Sequence, residues 1–461
     1  MKKILLIAYH FPPDAAVGGL RIAKFARYLP SFGWEPTVLT IKDRYREQFD
    51  KGRANDLNTT KVLKTVKVPR VTDFLLSIKR FASKMFGIKK VKERSESGDI
   101  YGENFGQIKS ESYLQKLKRY YISFSFLPDG ERSWVIPATI RAIVEIKRKR
   151  LNCVMTSSPP HSSHLIGLIA KRLTHVTWVA DFRDPWVDLQ KLKAPRIRTA
   201  LSDKIEQWME KQVIRNADTV ITTTDEHRKA VMARFQTEAE EKFLYIPNGI
   251  DTEKYPLKDL VERYDTFTTS YVGTIYLNRT PEPLFKAIHK LISTGRVEPS
   301  EIKFKLFGNC ELMDGKLMSS RIQAYGLDPI VEVSGPVPLS DALRIMQRSH
   351  LLLLLVTPIQ SINIPAKIYD YFGSGTKIMA ITEPGATSDL IKNTNSGTCF
   401  LPTDIDRIAD HIFTLLRNED RDRLRNDPTH YARFDAKLLS GQLAQRLFSL
   451  TGNLSSVMTN Q

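Results

Sequence analysis

Residues Leu351 to Gly375 have the sequence LLLLLVTPIQSINIPAKIYDYFGSG, and this stretch decides the fold class. Its first six residues are apolar without polar alternation, which is typical of a strand covered on both faces and is too short for a membrane span. After a loop, Ile368, Tyr369 and Phe372 recur at helical spacing until Gly375 ends the pattern. A buried strand, a loop and a helix start predict an open α/β sheet with a ligand site at this edge.

Four side chains of this unit are candidates for an anionic ligand. Ser361 and Asn363 lie in the loop, Lys367 in the first helical turn, and Asp370 one turn later. The amides at a helix N-terminus attract anions, so a cation and a carboxylate placed there can hold a phosphate and a ribose hydroxyl. From spacing alone, a solvated ion pair on an ordinary crossover helix is an equally good interpretation.

The segment IPAKIYDYFGSGTKIMAI, residues 364–381, resembles the donor-nucleotide segment of family 4 glycosyltransferases, in the branch whose helix has the pattern K-L-F-E-Y-L-A-S-G. The resemblance implies the GT-B fold: two Rossmann-like, doubly wound parallel-sheet domains that face a cleft, with the last helix crossing back to the first domain. It also implies that Asp370 binds the ribose of a sugar nucleotide. The family usually has glutamate there, and a second glutamate would fall on Ile362.

Composition narrows the class of protein. The chain has 461 residues, of which 42% are hydrophobic and 26% charged, which is ordinary for a soluble protein of two or three domains. A net charge of +18 predicts an acidic partner, which can be nucleic acid, anionic lipid or a phosphorylated substrate. No nucleic-acid-binding motif accompanies the charge, so we expect no nucleic acid as partner, and a non-enzymatic protein that binds anionic ligands is the least favoured hypothesis.

The cysteines and the N-terminus indicate the compartment. Cys153, Cys310 and Cys399 are far apart, which fits neither a disulfide framework nor a zinc site and predicts thiols in a reducing compartment. The apolar run of MKKILLIAYHFPPD is too short for a signal peptide, and no run approaches the roughly 20 residues of a transmembrane helix. We therefore expect a cytoplasmic protein, peripherally associated with the inner face of the cytoplasmic membrane.

Residues 1–251 are predicted to form an N-terminal, acceptor-binding domain. A strand, a loop ending in Gly18 and Gly19, and a helix from Leu20 form its first βα unit, in which the glycines permit close approach of a ligand or simply make a turn. A helix over 137–151 is predicted to bury Ile140, Ile143, Val144 and Ile146.

Two further loops of this domain, SSPPHSSH at 157–164 and DFRDPW at 181–186, follow strands and resemble the same family branch. We predict that Asp181, Asp184 and His164 form a sugar- and acceptor-facing catalytic set. A histidine at a helix start is also commonly a capping or packing residue, which is the alternative for His164.

Residues 43–125 do not follow the alternation of strands and helices and are predicted to be an insertion. Phe74, Ile78, Phe81 and Met85 recur at three- and four-residue steps, and residues 79–94 carry seven basic side chains against one acidic. This pattern is typical of a helix in a membrane interface, and equally of a surface helix packed on its own domain. We predict that four lysines contact anionic headgroups of the membrane or the acceptor: Lys84, Lys89, Lys90 and Lys92.

A linker is predicted at 252–268, a nucleotide-sugar-binding domain at 269–428, and a helix that packs back on the first domain at 429–461. Thr274 and Arg279 lie in the loop after the first strand of this second domain. We predict a donor site formed by Gly18, Gly19, Gly273, Thr274, Arg279, Ser361, Asn363, Lys367 and Asp370. Here Arg279 and Lys367 neutralise the departing diphosphate without a metal.

The predicted function is transfer of a sugar from a UDP- or GDP-linked donor to a glycan or polyprenyl-lipid-linked acceptor, in bacterial cell-surface polysaccharide biosynthesis. The resemblance implies retention of configuration, no protein nucleophile and no cofactor. The alternative is a non-hydrolysing nucleotide-sugar epimerase of the same fold, which needs several acid–base groups and no acceptor. A basic amphipathic insertion has no use in such an epimerase and favours the transferase.

Overall fold

In a computed structural model, the chain forms two α/β domains, each built on a parallel sheet. The structure describes residues 1–46, 49–50, 52–53, 60–68, 120–121, 123–187, 199–255, 261–275, 279–358, 361–421 and 423–452. Among these residues no helix is both long and apolar enough to cross a membrane.

The N-terminal domain has strands β1 (Lys2–Ile7), β2 (Trp34–Ile41), β3 (Lys61–Thr65), β4 (Cys153–Ser158), β5 (Thr177–Phe182), β6 (Thr219–Thr222) and β7 (Phe243–Tyr245). Its helices are α1 (Leu20–Tyr28), α2 (Val135–Lys149), α3 (Ser162–Thr174), α4 (Ala200–Asn216) and α5 (Asp225–Arg234). The strands pair in parallel in the order β3-β2-β1-β4-β5-β6-β7. The order reverses beside β1, and a reversal of this kind opens a crevice at the carboxyl ends of the strands.

The two faces of this sheet are covered by different helices. Ile4 and Leu6 of β1 pack on the side of α1, whereas Leu5 and Ile7 pack on the side of α2 and α3. This alternation follows from the two-residue period of a strand, and both sides are apolar because both are covered.

The prediction for α2 is confirmed for two of its four residues and wrong for the other two. Ile146 is buried in the core and Ile143 packs against it, whereas Ile140 and Val144 do not. Ala138 and Ala142 are fully buried, whereas Ile140 and Val144 are 60% and 47% exposed. The middle of the inner side is lined by alanine where α2 packs closely against α3, and Ile140 and Val144 lie on the opposite side of the helix.

The C-terminal domain has strands β8 (Phe267–Val272), β9 (Ile302–Phe307), a short hairpin of β10 (Leu312–Met313) and β11 (Lys316–Leu317), β12 (Val331–Ser334), β13 (Leu351–Leu355), β14 (Lys377–Ile381) and β15 (Gly397–Phe400). Its helices are α6 (Glu282–Ser293), α7 (Met318–Ala324), α8 (Leu339–Arg348), α9 (Lys367–Ser374), α10 (Ala386–Asn393) and α11 (Ile405–Leu416). The parallel sheet has the order β12-β9-β8-β13-β14-β15.

The position of β13 confirms the prediction made from its leucines. The strand lies between β8 and β14, and all five leucines are buried because helices cover both faces. The helix α9 ends where the sequence predicted, since Gly375 adopts the left-handed backbone conformation with φ of +70°.

The last helix, α12 (Ala436–Thr451), crosses back to the N-terminal domain. Leu443 and Leu447 are buried in the same apolar cluster as Ile4, and the Lys2 ammonium donates to the carbonyl oxygen of Thr451 at 3.0 Å. The predicted fold class, two doubly wound domains joined by a returning helix, is confirmed.

Candidate active site

Two strand ends of the C-terminal domain lie open to the cleft because glycine follows each of them. Gly273 follows β8 and Gly308 follows β9, with φ of +142° and +114°. A Cβ added at Gly308 would lie 2.4 Å from the carbonyl oxygen of Gly273, and one added at Gly273 would lie 2.5 Å from the Lys367 amine. Glycine is therefore required at both positions, and the backbone leaves room for a cation and its ligand.

Lys367, the first residue of α9, has a buried side-chain amine. Within the described residues its Nζ has no hydrogen-bond partner, and it lies 3.9 Å from the centre of the Tyr271 ring. Burial, and secondarily the nearby positive charge of Arg279, lower the pKa of Lys367 to about 7. A buried amine beside a guanidinium and without a hydrogen-bonding acceptor is suited to bind an anion from the cleft.

Asp370 lies one turn further along α9, at the junction of the two domains. The hydroxyl of Tyr255 donates to its Oδ1 at 3.2 Å, and Lys24 of α1 lines the same small cavity. Burial raises the pKa of Asp370, and the positive charge of Lys24 partly opposes this. The carboxylate can accept from a hydroxyl in the cleft as well as from Tyr255.

The cleft between the domains has a volume of about 1100 Å³. Of the nine residues predicted for donor binding, seven line it: Gly18, Gly273, Thr274, Arg279, Asn363, Lys367 and Asp370. Gly19 packs instead against the backbone of Phe11, and Ser361 lines a separate small pocket beside Gly385. The predicted donor cluster is therefore brought together by the fold, except for these two residues.

Two of the amides in the first turn of α9 already have acceptors within the helix. The amides of Ile368 and Tyr369 donate to the carbonyl oxygens of Pro365 and Ala366 at 3.1 and 3.2 Å. These two amides are therefore not available to an anion in the cleft, which the side chains of Lys367 and Arg279 can still bind.

Asp181 is placed behind the wall of the cleft and does not line it. Its carboxylate is fully buried and accepts from the Arg21 guanidinium at 2.9 to 3.1 Å and from the Ser157 hydroxyl at 2.7 Å. A carboxylate with these partners stabilises the domain, so we leave Asp181 out of the catalytic set.

His164 is also enclosed by protein. It lies within the first turn of α3, shares a hydrogen bond of 2.8 Å with Thr156, and stacks on Phe182 at 4.5 Å. Burial lowers the pKa of His164 to about 3, so the ring is neutral at physiological pH. Because the side chain is fully buried and has no access to the cleft, we leave it out of the catalytic set as well.

Asp184 is the member of that set that lines the cleft. Its Oδ1 accepts from the side-chain amide of Asn363 in the other domain at 3.4 Å. A second contact reaches the same loop of the C-terminal domain from the loop after β6, since the hydroxyl of Thr224 donates to the carbonyl oxygen of Ile362 at 2.6 Å. The carboxylate of Asp184 therefore faces the region where a donor and an acceptor would meet.

Sequence reasoning missed the basic residues of α1. Arg21, Lys24 and Arg27 recur at three-residue steps and bind the segment that leaves the first domain. Arg21 donates to the carbonyl oxygens of 246 and 247, Lys24 to that of Gly249, and Arg27 to the carboxylate of Asp251. The three-residue spacing of these cations places them along one side of α1 and could have predicted that they bind another segment together.

The predicted membrane lysines, Lys84, Lys89, Lys90 and Lys92, lie outside the described residues. In the part of the chain that is described, no group of three or more His, Cys, Asp or Glu side chains is arranged to hold a metal ion.

Two family models match the chain in tandem. The first, described as a glycosyl transferase 4-like domain, matches residues 118–249, and the second, glycosyl transferases group 1, matches residues 266–418. Together they cover more than half of the chain, with one match in each domain. No protein of curated function matches the sequence.

Solved structures share the fold over nearly the whole chain. Sucrose-phosphate synthase from Thermosynechococcus elongatus is 15% identical with a TM-score of 0.62, over 97% of this chain and 100% of that one. Anabaena Alr3699/HepE in complex with UDP-glucose is 13% identical with a TM-score of 0.62 and the same coverage. The lipopolysaccharide outer core galactosyltransferase WaaB is 14% identical with a TM-score of 0.55, over 97% and 99% of the two chains.

Proposed function

We propose a donor and an acceptor for this chain, which is a glycosyltransferase of the GT-B superfamily. The donor is a UDP- or GDP-linked sugar, and the acceptor is a glycan or a polyprenyl-lipid-linked glycan of a bacterial cell-surface polysaccharide. The sugar is transferred with retention of its configuration, without a metal ion or other cofactor. A complex with UDP-glucose among the similar structures supports a nucleotide sugar as donor.

The buried amine of Lys367 is the observation that carries this proposal. It lies beneath Gly273, beside Arg279, and has no hydrogen-bond partner among the described residues. Keeping a polar group buried without a partner costs free energy, which a bound diphosphate would offset. Asp370, one turn along the same helix, then accepts a hydrogen bond from a ribose hydroxyl.

The proposed reaction breaks the bond between the anomeric carbon and the diphosphate oxygen and forms a bond from that carbon to an acceptor hydroxyl oxygen. Negative charge develops on the departing diphosphate, where Lys367 and Arg279 stabilise it more strongly than in the bound donor. The departing phosphate oxygen takes the proton of the acceptor hydroxyl, so no protein base is needed. Asp184 faces the acceptor side of the cleft and orients that hydroxyl.

We further propose that the protein acts in the cytoplasm, at the inner face of the cytoplasmic membrane. The net charge of +18 supports attraction to an anionic leaflet. The segment 74–94, with its apolar stripe and seven basic residues, is one candidate for the contact.

A donor panel tests this proposal. A UDP- or GDP-sugar that binds in the cleft should raise the melting temperature of the wild type, because a ligand that binds only the folded state stabilises it. The Asp370→Ala variant should respond less to the same sugar. Turnover should require an acceptor and persist in EDTA. Conversion of the nucleotide sugar into another one without acceptor would instead indicate an epimerase, and inhibition by EDTA would contradict the metal-free reaction.

A further inference from the structure

The outward sides of α2, α3 and α4 expose large apolar side chains. Seven of these residues are at least 38% exposed: Ile136, Ile140, Val144, Ile169, Leu173, Leu201 and Trp208. Within each helix they recur at steps of four or seven residues, so each helix presents one apolar stripe. We call the combined surface of these three stripes the outer face.

The outer face is continuous across the three helices. The helix α2 packs beside α3, and α3 packs beside α4. On the outward side, the guanidinium of Arg172 in α3 donates to the side-chain oxygen of Gln212 in α4 at 2.8 Å. Several large exposed apolar side chains on neighbouring helices commonly mark an interaction site.

The charges of these three helices are strongly separated between inside and outside. They contain nine basic residues: Arg141, Lys147, Arg148, Lys149, Lys171, Arg172, Lys204, Lys211 and Arg215. Of their four acidic residues, Glu145, Glu206 and Glu210 are at most 2% exposed, and Asp203 is half-buried. Four of the nine basic residues lie within 4 Å of a carboxylate of the described chain: Arg141 and Arg148 beside Glu145, Lys171 beside Asp218, and Arg215 beside Glu238. The positive charge of the outer face therefore comes mainly from exposed lysines, Lys147, Lys149, Lys204 and Lys211.

We propose that the outer face docks the N-terminal domain on an anionic lipid surface. The exposed stripe of α4 shows the pattern, since Leu201, Lys204, Trp208 and Lys211 alternate apolar and basic side chains. The apolar side chains enter the boundary between headgroups and acyl chains, and the long basic side chains reach the phosphates. This surface contains no residue of segment 74–94, and its role in catalysis rests on the proposed lipid-linked acceptor.

The charges favour lipid over a protein partner. A second copy would place like charges opposite one another, which opposes association. Protein interfaces are also depleted of lysine at their centres, whereas lysine mixed with tryptophan and aliphatic residues is typical of membrane-surface helices.

The orientation of the outer face suits a lipid-borne acceptor. The helix α3 follows β4 directly, so its N-terminus lies at the sheet edge that borders the cleft. Ile136 lies in the first turn of α2, which leads directly into the start of β4, so it lies toward the same edge. A surface that begins at the cleft edge can hold the protein where an acceptor head group reaches the donor.

Vesicle binding by the full chain tests the inference directly. Wild type should sediment with vesicles of phosphatidylglycerol and phosphatidylcholine at low salt, and not with phosphatidylcholine alone. An apolar variant, Ile140→Gln with Trp208→Gln, should lower the partition coefficient at least about tenfold. A charge variant, Lys147→Gln with Lys204→Gln and Lys211→Gln, should lower it about a hundredfold at low salt. This second loss should shrink as ionic strength rises.

The hairpin of the C-terminal domain supplies a matched control. Leu312 and Leu317 are each 56% exposed, close to the 60% and 57% of Ile140 and Trp208. A Leu312→Gln, Leu317→Gln variant should bind vesicles as wild type does. All variants should keep the wild-type melting temperature, which shows that they fold.

Three results would overturn the inference. Wild type could stay in the supernatant with anionic vesicles at low salt, or the apolar variant could sediment as well as the hairpin control. In the third result, wild type forms a dimer in the absence of vesicles, whereas the apolar variant is a monomer. The outer face would then be an interface between two copies of the chain. None of these measurements uses turnover, so failure of the proposed donor or acceptor would leave their outcome unchanged.

Discussion

The two domains use the carboxyl edges of their sheets in opposite ways. In the C-terminal domain, Gly273 and Gly308 remove side chains from the strand ends and leave the Lys367 amine without a hydrogen-bond partner among the described residues. In the N-terminal domain the polar side chains near this edge have partners within the protein, since Asp181 is paired with Arg21 and His164 stacks among aromatic rings. One edge is left open for a ligand, and the other is closed by protein groups.

The difference shows how a charge at a strand end can be assigned to function or to stability. A buried charge needs a partner, and removal of that partner is strongly destabilising. Asp181 has its partners within the chain, so its contribution is structural. Lys367 has no hydrogen-bonding acceptor in the described structure, so its partner is expected in the cleft. Each of the predictions below tests one side of this comparison.

The largest effect is expected from Asp181→Ala. Removing the carboxylate leaves the Arg21 guanidinium buried without its ion-pair partner, which should lower the free energy of unfolding by about 3–5 kcal/mol. Urea unfolding measures this loss.

Asp184→Ala is the matched control for Asp181→Ala. Asp184 follows the same strand but lines the cleft, so its loss should change stability little and reduce turnover. If the two variants had the same free energy of unfolding, the ion pair of Asp181 with Arg21 would not stabilise the edge of the N-terminal domain.

The second prediction concerns Lys367→Met. Removing a cation that stabilises the departing diphosphate should reduce kcat by about 100- to 1000-fold, with a smaller change in donor affinity. Stability should not fall, because an apolar group replaces a buried amine without a hydrogen-bond partner. Steady-state kinetics measures kcat, and urea unfolding measures the free energy of unfolding. This free energy should stay constant or rise, in contrast to its loss in Asp181→Ala.

Glycine variants provide the control for Lys367. Gly273→Ala should cause a similar loss of turnover, because its Cβ would lie 2.5 Å from the Lys367 amine. Gly295→Ala shares a positive φ, +67°, but has no atom within 4 Å, so it should cost some stability and leave turnover intact. If Gly295→Ala lost as much turnover as Gly273→Ala, backbone strain and not displacement of Lys367 would be the cause.

The sequence predicts the open edge better than the closed one. Lys367 and Asp370 are three residues apart at the start of a helix, and glycine follows the neighbouring strand, so local spacing contains the site. The closed edge depends on distant pairs, since Arg21 lies 160 residues from Asp181 in the chain. A carboxylate after a buried strand looks the same in either case, because the partner that buries it is not local.

The orientation of α2 was unpredictable for a related reason. Its larger apolar residues were expected to face the core, because burial of large apolar side chains is usually the stronger driving force. Ile146 is buried as expected, but Ala138 and Ala142 occupy the middle of the inner side, where α2 packs closely on α3, and Ile140 and Val144 lie outside. Size of a side chain is a local property, whereas distance between helices is set by the whole layer.

The third prediction is that Asp370→Ala weakens donor binding by about ten- to a hundredfold. It removes one hydrogen bond between a charged group and a hydroxyl, worth about 1.5–3 kcal/mol. Calorimetric titration with the nucleotide sugar measures the change. Tyr255→Phe is the control, since it removes the hydroxyl that donates to Asp370 but keeps the carboxylate, and should cost less affinity. Unchanged affinity in Asp370→Ala would remove this residue from the donor site.

The smallest and most specific effect is the dependence of donor affinity on pH. Lys367 has a pKa of about 7 in the free protein, because burial disfavours its charged form, and the diphosphate binds the protonated amine. The protonated fraction falls as pH rises above this value, so the donor Kd should increase by up to about tenfold per pH unit there. The increase should end at the higher pKa that Lys367 has when the diphosphate is bound. Below pH 7 the amine is already charged, so it should contribute no further gain.

The Lys367→Arg variant completes this test. A guanidinium stays protonated throughout the measured range, so the rise of Kd above about pH 7 should disappear. At lower pH the raised pKa of Asp370 should still weaken binding as its carboxylate takes up a proton, in wild type and variant alike. A wild-type Kd that does not change between about pH 7 and pH 9 would show that the Lys367 amine is charged before the donor arrives. The open edge would then already hold a partner for that charge, and the contrast between the two domains would be lost.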